Sequence, residues 1–290
     1  MMIRKLIFKL PAVAAVLFFA AFVVSCQDAG DNAGLPKIAV SIVPQATFVK
    51  EVCADGFEVV TLIPPGYSPE NYEPTTDVIA ALEDSAIYFT VGVPAEDSGI
   101  LPDISEKVKV VALEDEVAKV YPDITIDGVG RDPHIWLSPK RVKVMVSAIA
   151  RELGEFDPDN AEKYVANANA YIEKLDALDA YLAETFGALE NKSFVIFHPA
   201  LGYLADDYGL TMYALEEEGK EATAAHLQKV IDIAKVQGIK TVFYQSEIDS
   251  RQAQAFADEL GGEAVMLEPL AADYIPNLEK TARLLAEAMK

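Results

Sequence analysis

Two of the three histidines in this 290-residue chain stand where a fold can present a ligand. His134 lies in GRDPHIWLSPKR, between a proline and an apolar pair, just ahead of the helix-start signal Ser138-Pro139. His198 directly follows the run SFVIF, Glu268 directly follows EAVML, and Glu70 and Asn71 sit in the turn PPGYSPENYEP behind VVTLI. Singly, each has an ordinary reading as a hydrogen-bonded or solvated loop residue. Jointly, two imidazoles and two carboxylates at the ends of apolar runs suit a divalent first-row metal. His226 differs: it falls within the amphipathic stretch EATAAHLQKVID and reads as a surface or packing residue.

Such a set supports capture of a metal or hydrolysis at a catalytic zinc, which needs about three protein ligands and an open position. The chain has no HExxH, GxSxG, GxGxxG or Walker A motif and offers no separate general base, which favours capture. Binding of a chelated metal or haem is a further alternative, expected to need a wider and more aromatic or basic cleft.

The elements that must position these residues can be read from the pattern. KIAVSIVP, FEVVTLI, AIYFTVG and KVKVVAL are strand-like runs, with helical TFVKEVCA and PTTDVIAALEDS between them. Strands alternating with helices predict parallel α/β sheets, in which ligands bind outside the carboxyl ends of the strands. From Asp157 the pattern changes. Tyr164, Tyr171, Leu175, Leu178, Leu182 and Phe186 form one apolar stripe, which predicts a helix of about 30 residues, about 45 Å long. Alternation then resumes through SFVIF, PALGYLADDYG, AAHLQKVIDIAKVQG, IKTVFY, RQAQAFADELGG and EAVML, with a last helix over 275–289. The predicted architecture is two α/β lobes with parallel sheets, 37–156 and 189–290, joined by a long rigid helix over 157–188, with the cleft between the lobes.

The first residues are not part of that fold. Arg4, Lys5 and Lys9 precede an apolar run that ends at Val23-Val24-Ser25-Cys26. The run is short for a membrane span and right for an export signal over 1–25. Its end resembles the lipobox of bacterial lipoproteins, which makes Cys26 the expected lipidation site and 26–36 a flexible tether. Only Cys53 then remains, so no intramolecular disulfide is expected. Removing the three leader cations takes the net charge from −22 to −25. No basic stretch offers a footprint for nucleic acid, and an acidic exterior is compatible with attraction of cations.

The chain resembles the metal-binding lipoproteins of bacterial zinc and manganese ABC importers, the cluster A-I solute-binding proteins. The resemblance rests on IVPQATFVKEVCADGFEVVTLIPPGYSPENYEP, DPHIWLSP, FHPALGYLADDYGL, HLQKVIDIAKVQGIKTVFYQSEI and VMLEPLAADY. It implies two α/β lobes, one linking helix, a metal in the cleft, and no enzymatic activity. It also implies an ABC permease as partner, a lipid-anchored monomer at the cell envelope, and Zn²⁺ as cargo with Mn²⁺ as the alternative. By the same resemblance His134 and His198 are the second and third ligands, and Glu268 stands where relatives carry an acidic ligand. The chain departs at the first position, where many relatives have His in SPHxYEP and this one has Glu70 in SPENYEP. Either Glu70 supplies an oxygen or water completes the shell, with Asn71 a neutral alternative. The His-rich loop of some zinc-binding relatives is absent before DPH. Neutral imidazoles predict that affinity weakens as pH falls through about 6.5.

Overall fold

Residues 34–126, 130–216 and 222–290 are described in a computed structural model. The expected leader and Cys26 lie outside these residues. Residues Leu35–Lys290 fold together as one unit.

The first sheet contains β1 (Lys37–Val40), β2 (Glu58–Thr61), β3 (Ser85–Thr90) and β4 (Lys109–Ala112), all parallel, in the order β2-β1-β3-β4. Helices α1 (Val43–Cys53), α2 (Thr76–Glu83) and α3 (Leu113–Ala118) belong to this half, followed by a two-stranded antiparallel ribbon of β5 (Thr125–Ile126) and β6 (Gly130–Arg131). The second sheet contains β7 (Ser193–Ile196), β8 (Thr211–Ala214), β9 (Thr241–Gln245) and β10 (Glu263–Leu267), again all parallel, in the order β10-β9-β7-β8. Counted within each half, both sheets follow the same winding: the first strand is flanked by the second and the third. Each half therefore has a crevice between its first and third strands, where the chain turns opposite ways and a ligand can enter.

Between the sheets come α4 (Pro139–Phe156) and α5 (Ala161–Gly187). Ser138 caps α4 by accepting a hydrogen bond from the Arg141 amide, and Pro139 fills the first turn, where its missing N–H costs nothing. The predicted 30-residue helix is a 3₁₀ turn over Pro158–Asn160 followed by 27 residues of α-helix. Asp157 does not cap its backbone. Its carboxylate instead accepts from Asn160 Nδ2 at 2.8 Å and Tyr164 Oη at 2.7 Å. Tyr164, Tyr171, Leu175, Leu178, Leu182 and Phe186 are all buried, together with Ala168. This stripe packs α5 on α1 and α4 on one side and on α6 (Gly202–Tyr208) and α9 (Tyr274–Ala288) on the other. The second half is completed by α7 (Ala224–Gln237), closed by Gly238 at φ +69°, and α8 (Ser250–Glu259). Cys53 is buried and unpaired. No described helix is long and apolar enough to cross a membrane.

One core cluster runs across both halves through α5, from Ile38 and Phe89 to Phe194 and Phe243. Phe48 of α1 meets Tyr274 of α9 edge to face at 4.9 Å, and Thr47 donates to the Ala272 carbonyl at 2.7 Å. Opening the halves would tear this shared core, so a wide hinge motion is not available at modest cost. Small-angle scattering curves of metal-free and zinc-loaded protein should therefore superimpose. A large compaction on adding zinc would contradict the rigid-helix account.

Candidate metal centre

The two crevices are used differently. In the first sheet, Gln45 bridges the ends of β1 and β3. Its Oε1 accepts from the Ser41 and Ile42 amides, and its Nε2 donates to the Phe89 and Thr90 carbonyls. Beside it Glu96 accepts from the Val91 and Gly92 amides at 2.9 and 2.8 Å and from Ser41 Oγ. Burial is the main reason its carboxyl is pushed up to about 8. The polar side chains of this crevice, Ser41, Gln45 and Glu96, are thus bonded to one another and to the surrounding backbone. In the second sheet the crevice carries His198, just past β7, and Gln245 at the end of β9, whose Nε2 donates to the His198 carbonyl at 2.9 Å.

His134 reaches the same place from the other half. It precedes a single 3₁₀ turn, Ile135–Leu137, whose apolar side chains are buried. Trp136 of that turn donates from Nε1 to the Pro269 carbonyl at 3.0 Å, across the cleft. Glu70 arrives on the loop behind β2. Pro69 on that loop accepts from the Ala95 amide at 3.0 Å, and buried Tyr72 stacks edge-on against Tyr67 at 5.3 Å. The loop is thus braced by prolines, a backbone bond and an aromatic pair.

Glu70, His134 and His198 come together as one cluster. The two Nε2 atoms are 3.2 Å apart, and Glu70 Oε1 is 3.6 Å from each. A point equidistant from the three atoms lies about 2.0 Å from each, the bond length of zinc to nitrogen and oxygen. At 3.6 Å no hydrogen bond joins Glu70 to either ring, and Oε1 is a buried acceptor without a hydrogen-bond partner among the described residues. Such an atom is costly unless a cation satisfies it.

The far nitrogens explain the orientation. His134 Nδ1 donates to Asp132 Oδ1 at 2.7 Å, and His198 Nδ1 donates to Glu216 Oε2 at 2.6 Å. A carboxylate only accepts, so both Nδ1 atoms carry protons and both Nε2 lone pairs point at the same spot. Two lone pairs at 3.2 Å repel unless a proton or a metal lies between them. Burial works against the charged form of His198, but Glu216 and Glu70 outweigh it and raise this ring to about 9. Burial also pushes the Glu70 carboxyl up, and the facing His198 and His134 outweigh that, holding it below its ordinary value.

The remaining expectations fall elsewhere. Glu268 is not in the cluster: its carboxylate turns to Lys280 of α9 at 2.6 Å, while its carbonyl accepts from Asn277 at 2.7 Å. Only the following Pro269 and Leu270 reach the cleft, a space of about 340 Å³ also lined by Asn71 and Glu247. His226 accepts no place in the site; its Nε2 lies 3.0 Å from the Ala214 carbonyl, at the end of β8. Asp132 and Glu216 were not singled out from the sequence. Asp132 had a visible signal, standing two residues ahead of His134 in DPH, whereas Glu216 opens an acidic run that reads as solvated.

Two α/β lobes wound alike thus bring two carboxylate-backed imidazoles and a carboxylate together in the cleft. The profile of the family described as zinc-uptake complex component A, periplasmic (ZnuA), matches residues 38–288, and the chain belongs to that family. It is 28% identical over 261 residues to the high-affinity zinc uptake system protein ZnuA of Bacillus subtilis strain 168, covering 85% of this chain and 81% of that protein. It is 29% identical over 293 residues to the zinc-binding lipoprotein AdcA of Streptococcus pneumoniae serotype 4, covering 92% of this chain but 58% of that longer protein. Among solved structures, a zinc-bound ZnuA deletion mutant superimposes with a TM-score of 0.83 at 34% identity, covering 89% of this chain and 99% of that one.

Proposed function

We propose that this protein is an extracytoplasmic receptor, not an enzyme, that captures Zn²⁺ and hands it to an ABC permease. The observation that carries this reading is the convergence of His134 Nε2, His198 Nε2 and Glu70 Oε1 on a point at zinc bond length. The names of its relatives, a zinc uptake protein and a zinc-binding lipoprotein, support it. Mn²⁺ is the second cargo, since an oxygen ligand and water are compatible with it. A hydrolase reading is disfavoured, because among the described residues Glu70 is the proposed ligand, Asp132 and Glu216 are committed to the histidines, and Glu247 on the cleft wall accepts from Ser246. Lipid attachment at Cys26, residence at the cell envelope and action as a monomer complete the proposal.

The test is a zinc titration against a competing chelator, with an esterase and phosphatase screen alongside. One tight equivalent without turnover is expected; turnover that tracks bound zinc would overturn the receptor. The same titration checks a pH dependence. The bound ring must be neutral, and the free ring of His198 titrates at about 9, so protons compete with zinc everywhere below that value. Apparent affinity should fall about tenfold per unit as pH drops from 8.5 to 6.5, with about one proton released per zinc. This moves the expected window upward from the ordinary imidazole value of about 6.5. Flat affinity over that range would remove His198 from the shell.

A further inference from the structure

The two histidines sit on segments that also lock the halves to each other. Asp132, whose Oδ1 accepts from both the amide and Nδ1 of His134, is 1% exposed. Its other oxygen abuts the backbone of Gly202 at the start of α6, where an added Cβ would lie 2.5 Å from Oδ2. Next along α6, Tyr203 Oη donates to the Asp132 carbonyl at 2.9 Å and accepts from the Ile124 amide at 3.3 Å. Arg141, 2% exposed, lays its guanidinium over the Tyr203 ring at 4.2 Å and donates to Asp207 Oδ1 at 3.0 Å. Asp207 accepts from Ser138 Oγ with its other oxygen and from Lys140 Nζ with its carbonyl. Apart from the two Asp132–His134 bonds, each of these contacts joins a residue that follows His198 in the chain to one on the His134 side.

We propose that Gly202, Tyr203, Arg141 and Asp207 form a cross-lobe clamp that positions the two histidine nitrogens, so that metal affinity depends on contacts that touch no metal. The proposal rests on the receptor reading of the site. The mechanism is geometric. Asp132 has one oxygen on His134 and the other against Gly202, so the second half of the molecule sets the carboxylate that orients a ligand of the first half. The buried Arg141–Asp207 pair fixes α6 in that place. Separating a buried pair leaves each charge uncompensated, which opposes movement of α6 away from α4. A methyl at position 202 would lie 2.5 Å from Oδ2, so either the Asp132 carboxylate turns or α6 moves off it, and either change removes the support that holds Oδ1 on His134.

The decisive variant is Gly202→Ala in the full chain, read by zinc affinity, by the melting temperature of the metal-free protein and by the visible spectrum of its Co²⁺ form. Gly202 lies in a helix with no positive φ, so alanine is the better helix former there. A purely structural role expects wild-type affinity and a wild-type Co²⁺ spectrum, with any cost of the contact to Asp132 appearing in the melting temperature alone. The clamp expects zinc affinity weaker by about tenfold to a hundredfold, the range for losing an outer support of a metal ligand, with an altered Co²⁺ spectrum. Asp207→Asn should also weaken zinc at least about tenfold by releasing Arg141. Wild-type affinity and spectrum in Gly202→Ala would overturn the proposal, whatever Asp207→Asn does. His198→Ala separates the two levels. If it retains zinc, the site itself is misassigned; if it loses zinc while Gly202→Ala does not, only the clamp fails.

Discussion

Replacing His198 by alanine is expected to weaken zinc binding about a hundredfold to a thousandfold, and His134→Ala by a similar factor. Protein zinc sites bind with about 10–16 kcal/mol. Shared over four ligands this is about 2.5–4 kcal/mol each, and every 1.4 kcal/mol is about a factor of ten. The metal-free fold should survive either change. Without His198, Glu216 is partly exposed and can be hydrated. Without the His134 ring, Asp132 still accepts from the residue-134 amide at 3.0 Å. Melting temperatures should therefore move far less than affinities. His226→Ala is the internal control, because its ring lies on the Ala214 carbonyl outside the cluster. Competition titrations of the three variants check this, and wild-type affinity in both His134→Ala and His198→Ala would remove the proposed site.

The halves and the helix between them were legible because their signals are local. A stripe of six large apolar residues on 3.6-residue spacing can satisfy itself only against a core, and all six are buried. The strand ends were legible for the same reason: SFVIF leaves His198 at the crevice of its sheet because side chains beyond a parallel strand have nowhere else to go. The features that escaped depend on distant partners. β8, Thr211–Ala214, is a short edge strand with no fully buried residue, so it shows no alternation and was not read as a strand. Glu268 stands directly beyond β10, yet Lys280 on the far side of the α9 turn decides where its carboxylate points. Arg141 and Asp207 look like ordinary surface charges in the sequence. Nothing within either segment indicates that they meet, buried, where the two halves join.

Glu70→Gln should lower zinc affinity about tenfold to a hundredfold, while Glu70→His should restore it to near the wild-type value or above. Glutamine keeps an oxygen at the same reach on the same braced loop, so the loss isolates the charge. That charge counts because, among the described residues, Glu70 is the carboxylate whose oxygen faces the two Nε2 atoms; Asp132 and Glu216 address the far sides of the rings. Removing it leaves a dication facing two neutral imidazoles in a half-buried cleft, and the resulting cost is of the size seen when a ligand is weakened rather than deleted. Histidine has no charge either, but its nitrogen is a better donor to zinc than an amide oxygen. The two variants therefore separate charge from donor strength. They also separate the cargoes: losing the inner carboxylate oxygen should weaken Mn²⁺ in both variants, so the ratio of zinc to manganese affinity rises in Glu70→His. Parallel titrations of wild type, Gln and His variants with both metals read all of these effects. Equal zinc affinity across the three proteins would show that the orphaned oxygen of Glu70 is not a ligand, and the third position of the shell would pass to water or another group in the cleft.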